Sequence, residues 1–227
     1  MEVAQSAWRN RLVEFFAVPF RRRTYGSLLY LWLAFPLGLA YFVGLVVGFA
    51  AGIPLTIVWI GLVVLFVTLA GAWFAEGLER QLAIRLLGAA VPARLAEAPV
   101  PSRKRFAHLR AVGGSAALWK GIVFLFLKFP LGLAGWVFSI VALVVPAAFI
   151  AAPFALLFGQ GNVDLGFWGP ETFLEALPLA FVGALALLLS LHLHNALGWA
   201  WARLAEWLLG AAAPAKLPPQ EAAALLA

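Results

Sequence analysis

Apolar residues fill this chain in long unbroken blocks, and polar residues gather in a few short clusters between them. Residues 26–75 hold no ionisable group except the phenols of Tyr30 and Tyr41. About 20 apolar residues cross the hydrocarbon core of a bilayer, so that block alone is long enough to cross twice. Four spans are predicted, at residues 27–51, 53–75, 121–145 (with room to run on toward Phe158) and 173–196. Only GFAAGIP separates the first two. This predicts a tight antiparallel helical hairpin in which Gly52 takes a positive φ and Pro54 opens the second helix.

The clusters between the blocks have a helical period of their own. AEGLERQLAIRLLG (residues 75–88) and WARLAEWLLG (201–210) set leucines at helical spacing against Glu79, Arg80 and Arg85, or against Arg203 and Glu206. Both are predicted to lie at the cytoplasmic interface with their apolar faces in lipid. The opening AWRNRLVEFFAVPFRRR reads the same way, with Trp8, Leu12, Phe15 and Phe16 as its apolar face. Residues 89–118, rich in proline, glycine and charge, read as a basic cytoplasmic linker, and the tail from 214 to 227 is too short to be a domain.

The two halves repeat. FPLGLA begins at Phe35 and again at Phe129, an offset of 94; IPL at Ile53 is echoed by LPL at Leu177, an offset of 124; LLGAAVPA at Leu86 is echoed by LLGAAAPA at Leu208, an offset of 122. The layout is therefore an opening amphipathic segment (1–23), a first two-span repeat (24–88), the linker (89–118), a second two-span repeat (119–213) and the tail. Each unit crosses an even number of times, so the copies are expected to point the same way, as parallel repeats about an axis along the membrane normal. The expected fold is all-α: four transmembrane helices as two parallel-repeated hairpins, with cytoplasmic amphipathic helices.

Composition agrees with that picture. Hydrophobic residues make up 64% of the chain, charged residues 11%, and the mean hydropathy is +0.98; soluble domains carry about a quarter charged residues. A net charge of +6 would suggest nucleic acid in a soluble protein, but every Lys and Arg falls in residues 1–23, 80–128 or 203–216, whereas 160–175 holds Asp164, Glu171 and Glu175 and no base. By the positive-inside rule the basic segments face the cytoplasm, which places both termini there and removes the case for a nucleic-acid partner. Residues 1–20 carry charges throughout and do not read as a removable signal peptide. Arginine far outnumbers lysine, and alanine, glycine and leucine abound, as in a high-GC bacterial proteome. The expected location is a bacterial inner membrane.

At VPFRRRTYGSLLYLWLAFPLGLAYF, LERQLAIRLLGAAVP and LWKGIVFLFLKFPLGLAGW the chain resembles the sensor domain at the amino end of many actinobacterial and other bacterial sensor histidine kinases, over roughly residues 15–210. The resemblance implies a sensory module with no catalytic motif. Kinase-type members continue into a phospho-acceptor helix and an ATP-binding domain, which this sequence lacks, so a signal would pass to a separate polypeptide.

Several side chains are candidates for more than packing. Pro36 and Pro130 each free a carbonyl four residues earlier, and with Gly38 and Gly132 they read as packing joints or as a symmetric hinge. Arg21, Arg22, Arg23, Arg103, Lys104 and Arg105 read as topological anchors and contacts for anionic lipid headgroups. Lys128 stands where the first copy has Ala34, and the simplest expectation is that its stem snorkels to the inner interface. A functional Lys128 would need a buried carboxylate, with Glu76 favoured over Glu79. His192 and His194 point about 200° apart on a helix and cannot share a metal; they are expected to hydrogen-bond with Asn195 and Ser190, and His192 is a candidate pH-sensitive group. Trp8, Trp119, Trp199, Trp201 and Trp207 suit an inner interfacial belt and Trp168 an outer one.

Cysteine is absent, and no paired carboxylates, GxSxG, HExxH, phosphate loop or dinucleotide fingerprint occurs. No catalytic residue, metal or cofactor is expected. The expected partners are the bilayer with its anionic lipids, another membrane or signalling protein, and a second copy of the chain. The expected role is a membrane sensory or regulatory module; an accessory subunit of a larger membrane complex is the alternative, and a small transporter or channel is disfavoured by the scarcity of polar groups within the spans.

Overall fold

The computed structural model describes residues 17–91, 116–159 and 169–210, and every regular element among them is helical. A short 3₁₀ turn, Val18–Phe20, leads into α1 (Arg22–Leu55, 34 residues), and a second, Thr56–Val58, joins it to α2 (Ile60–Leu82). α2 runs on into a π-helical turn, Ala83–Leu87. α3 (Ala116–Leu157) has 42 residues and α4 (Phe173–Leu209) has 37.

All four are long and apolar enough to cross a membrane. Only 17–22% of the most apolar window of each helix is buried, so most of that surface faces outward. Phe66, Phe74, Phe181 and Val182 are among the large side chains so exposed. Apolar area of this extent is unfavourable against water and acceptable against lipid tails. The chain is a multi-pass membrane protein.

The helices are longer than the expected spans. No break separates α2 from residues 75–88 or α4 from residues 201–209: the stretches expected as separate interfacial helices continue the spanning ones. In the α2 stretch the reason is visible in the charges, since Glu76, Glu79 and Arg80 are turned inward and buried rather than laid against headgroups; in the α4 stretch Arg203 stays exposed. The helix stops where a glycine allows it. Gly88 takes φ +67°, and the Ala89 N–H reaches back to the Ala83 carbonyl at 3.1 Å, one residue further than in the common glycine-capped helix end because the last turn is π-helical.

The first hairpin is present, but its turn lies later than the sequence suggests. α1 passes through Gly52 and Pro54, and the chain reverses at residues 56–59, where Trp59 adopts φ +64°. Gly52 serves close approach instead of the turn: a Cβ there would lie 2.6 Å from Leu65, and one at Gly48 would meet Thr68. Small residues at these two points let the helices of the hairpin draw together.

By contact the chain divides into two compact units, Met1–Leu37 with Phe129–Ala200 and Gly38–Lys128 with Trp201–Ala227. In the first unit the two FPLGLA copies meet. A Cβ at Gly132 would lie 2.7 Å from the Ala34 carbonyl oxygen, and one at Gly135 would lie 3.2 Å from Leu31. Phe35 stacks on Phe129 at 6.3 Å and packs against Trp136 at 5.2 Å. All of these contacts lie within about two turns of each helix, so the two motifs meet at a crossing. Glycine decides the geometry, because it permits backbone-to-backbone approach at the crossing. Pro36 and Pro130 are exposed, Gly38 and Gly132 are buried, and the helices run on through both prolines.

The same unit fastens the start of α1 to α4. The buried Thr24 hydroxyl donates to the Val18 carbonyl at 2.9 Å and accepts from Asn195 Nδ2 at 3.0 Å. α4 begins with Thr172 accepting from the Glu175 N–H at 3.3 Å, while the Glu175 carboxylate accepts from the Glu171 N–H at 3.0 Å, a variant of the reciprocal capping pattern.

Glycine at the crossing gives a direct test. Gly132→Ala forces a methyl into backbone and should destabilise the protein by about 1–3 kcal/mol. Gly71→Ala, where a Cβ meets nothing within 4 Å, should be neutral or stabilising by up to about 1 kcal/mol. Thermal unfolding of the two variants in detergent separates these outcomes.

Candidate functional site

α2 buries one stripe, Ala72, Ala75, Glu76, Glu79, Arg80, Ala83 and Leu87, at the three- and four-residue spacing of a single helix face. Alanines on that face let a neighbour come close, and the ionisable residues between them are carried inward with it. α3 answers with its own stripe of Leu118, Ile122, Leu125 and Lys128. Gly121 brings the α3 backbone against Glu76, to the point where a Cβ would sit 3.0 Å from its carboxyl carbon.

The result, entirely within the second unit, is a buried ionic cluster. The Lys128 ammonium donates to Glu79 Oε2, and both side chains are wholly shielded. Arg80 donates to Glu76 Oε1 from Nε at 3.1 Å and from Nη2 at 2.8 Å. Lys128 Nζ also lies 5.7 Å from the ring centroid of Trp201, within the range of a cation–π contact. Phe124 meets the same indole edge-on at 6.2 Å. The buried Tyr41 hydroxyl lies beside the Glu79 carboxylate. Two acids and two bases make the group formally neutral, the condition under which charges persist away from water.

The ends of this unit are tied by a further carboxylate. Glu206 accepts from the Ala90 N–H at 2.9 Å through Oε1 and from Arg203 at 3.0 Å through Oε2. The residues that leave α2 are thus held to the last turn of α4.

Several expectations change here. Lys128 does not snorkel; its stem points into the packed face, and its partner is Glu79, while Glu76 is taken by Arg80. Trp201 does not belong to the interfacial belt: it is 6% exposed and covers Lys128, whereas Trp119, Trp199 and Trp207 are exposed as expected. Arg80, Tyr41 and Trp201 escaped the sequence reading as members of the site. The legible signal was the E-x-x-E-R spacing, which puts Glu76, Glu79 and Arg80 on one face together with Ala72, Ala75 and Ala83.

The other named residues lie apart from the cluster. Arg21, Arg22 and Arg23 are exposed at the start of α1. Arg103, Lys104, Arg105, Trp8 and Trp168 lie outside the described residues. His192 is half-buried, and His194 is the shielded histidine of the pair. In the first unit His194 Nδ1 lies 2.6 Å from the Ser190 carbonyl, Nε2 lies 3.0 Å from Ser139 Oγ, and Ser139 Oγ is 2.7 Å from the Gly135 carbonyl. A carbonyl only accepts, so Nδ1 carries a proton. The Ser139 hydroxyl then donates to Nε2 when the ring is neutral and to Gly135 when the ring is charged. Among the described residues no group of three or more His, Asp or Glu side chains is gathered to hold a metal.

The sequence profile of the family described as "Putative sensor" matches residues 30–209, which include every helix that carries the cluster. The chain belongs to that family. Among curated proteins and solved structures, nothing matches it. Family membership supports a sensory role in general and points away from catalysis.

Removing one charge tests the cluster. Lys128→Met leaves Glu79 buried without its ammonium and should cost about 3–5 kcal/mol, while Lys128→Met/Glu79→Met should recover most of that loss. A double-mutant cycle on unfolding in detergent reads the coupling; additive single losses would mean that the two groups do not interact.

Proposed function

We propose that the protein is a sensory or regulatory module of a bacterial inner membrane, with both termini cytoplasmic, that passes an intramembrane or envelope signal to a separate partner protein in the manner of a two-component system. The buried ionic cluster carries this proposal. Replacing a buried ion pair by packed apolar side chains is often neutral, or stabilising by about 1–4 kcal/mol, so stability alone gives no reason to keep four charges inside a lipid-facing unit. Breaking such a pair costs about 3–5 kcal/mol. That is the scale of the roughly 5.5 kcal/mol that moves a two-state equilibrium from about 1:99 to 99:1.

A stimulus that offers Lys128, Glu79 or Arg80 a different partner would release the contact between α2 and α3. The residues that follow α2 would feel it through the Ala90 to Glu206 bond. Around this switch, Arg21, Arg22 and Arg23 would hold anionic headgroups at about 1 kcal/mol each, and Pro36, Gly38, Pro130 and Gly132 would set the packing that the switch works against. A second copy of the chain is a further candidate partner.

Affinity purification of the full chain from native membranes in mild detergent tests the proposal. Wild type, Lys128→Met and Lys128→Met/Glu79→Met would be compared by identifying and quantifying the bound proteins. A membrane or signalling protein whose recovery changes several-fold when the ion pair is altered is the expected result. Recovery of the same proteins in the same fixed stoichiometry from every variant would instead make the chain an accessory structural subunit.

A further inference from the structure

The contacts around His194 call for one more proton than its neutral surroundings supply. Nδ1 lies 2.6 Å from the Ser190 carbonyl, Nε2 lies 3.0 Å from Ser139 Oγ, and that oxygen lies 2.7 Å from the Gly135 carbonyl. Both carbonyls only accept, so the three hydrogen bonds need three protons. A neutral imidazole brings one and the hydroxyl brings one. An imidazolium brings two, and all three contacts are then made. We propose that His194, Ser139 and Gly135 form a proton-binding relay, in which uptake of one proton by His194 turns the Ser139 hydroxyl from the ring to the Gly135 carbonyl. The inference goes beyond the role proposed above: it assigns a ligand to the first unit and holds whether or not a partner protein reads it.

The surroundings balance the two states. His194 and Ser139 are wholly shielded, and a shielded cation without compensation is costly. α3 carries no ionisable side chain from Phe129 to Leu157. α4 offers His192, half-buried and about 200° round the helix, and at its far end Glu171 and Glu175, the latter about 28 Å away along the axis. α1 and its approach offer Arg21, Arg22, Arg23 and Tyr25, all exposed, and the buried Tyr30. None of the described carboxylates of this unit stands close enough to hold the ring charged at every pH. In compensation an imidazolium gains two charge-assisted hydrogen bonds, each roughly twice as strong as a neutral one. Phe138 also lies 5.4 Å from His194, ring to ring, within the range of a cation–π contact. Neither state is fixed, and imidazole is the side chain whose charge changes between about pH 5 and 8.

The relay has an entry and an output. Asn195, next to His194, donates to Thr24 at 3.0 Å, and Thr24 adjoins the exposed Arg23, so the ring lies near the solvated start of α1. At the other end Gly135 stands where α3 approaches α1, since a Cβ there would lie 3.2 Å from Leu31. A hydroxyl that moves on or off the Gly135 carbonyl therefore acts at a helix contact with little slack. Acid completes the chain of bonds from α4 through Ser139 to α3, and at higher pH the bond to Gly135 is given up.

Ring nitrogens and glycine carbonyls report the two ends separately. The full chain, labelled with 15N in its histidine rings and 13C in its glycine carbonyls, would be followed by NMR in detergent from about pH 8 to pH 5. For wild type the expected result is a His194 ring with its proton on Nδ1 at high pH and on both nitrogens at low pH. The Gly135 carbonyl signal should move over the same range. Ser139→Ala should abolish the Gly135 response, His194→Gln should abolish it together with the ring signal, and His192→Gln should leave both in place.

A His194 ring that keeps one protonation state throughout, a Gly135 signal that does not follow the ring, or a response lost in His192→Gln would each overturn the proposal. Should Ser139→Ala fail to fold, the wild-type comparison of ring and carbonyl still decides it. None of these measurements involves Lys128, Glu79 or a bound protein, so they and the partner experiment can fail independently.

Discussion

A charge removed from water must be met by an opposite charge or not be formed at all, and that constraint organises the lipid-facing helices of this protein. Isolated, Lys128 or Glu79 would each carry a desolvation cost of several kcal/mol. Together with Glu76 and Arg80 they form a neutral group that helical packing can enclose. The alanines of α2 and Gly121 of α3 then acquire a purpose beyond small size: they set the separation at which a lysine and a glutamate of adjacent helices meet.

Much of this was legible in the residues alone. Four apolar blocks announced four spanning helices, and the FPLGLA copies read as packing joints. What the sequence could not convey was that the two copies meet each other: the contacts of Leu31, Ala34 and Phe35 with Gly135, Gly132 and Phe129 follow from close backbone approach, which no pattern of hydrophobicity records. Boundaries blurred for a similar reason. A charged residue near the end of a span reads as interfacial, and only a partner on another helix, as Lys128 is for Glu79, shows that it belongs inside.

Proline and glycine divide their labour in a way that composition alone leaves open. At both FPLGLA copies the proline faces outward and the helix continues, while Gly38 and Gly132 face inward. Proline surrenders one backbone bond, which continuous neighbouring turns tolerate in a membrane helix. At Gly132 the glycine supplies the contact. At the hairpin the same division recurs, with Pro54 inside the last turn of α1 and Gly48 and Gly52 giving the second helix room to approach.

The short bond between the Ala90 N–H and the Glu206 carboxylate has a mechanical consequence. Because the peptide that emerges beyond Gly88 is moored to the last turn of α4, the residues after it depart from two helices at once. Anything that grips the downstream chain pulls on a forked lever with one arm in α2 and one in α4. A rotation of either arm is then delivered to the same peptide.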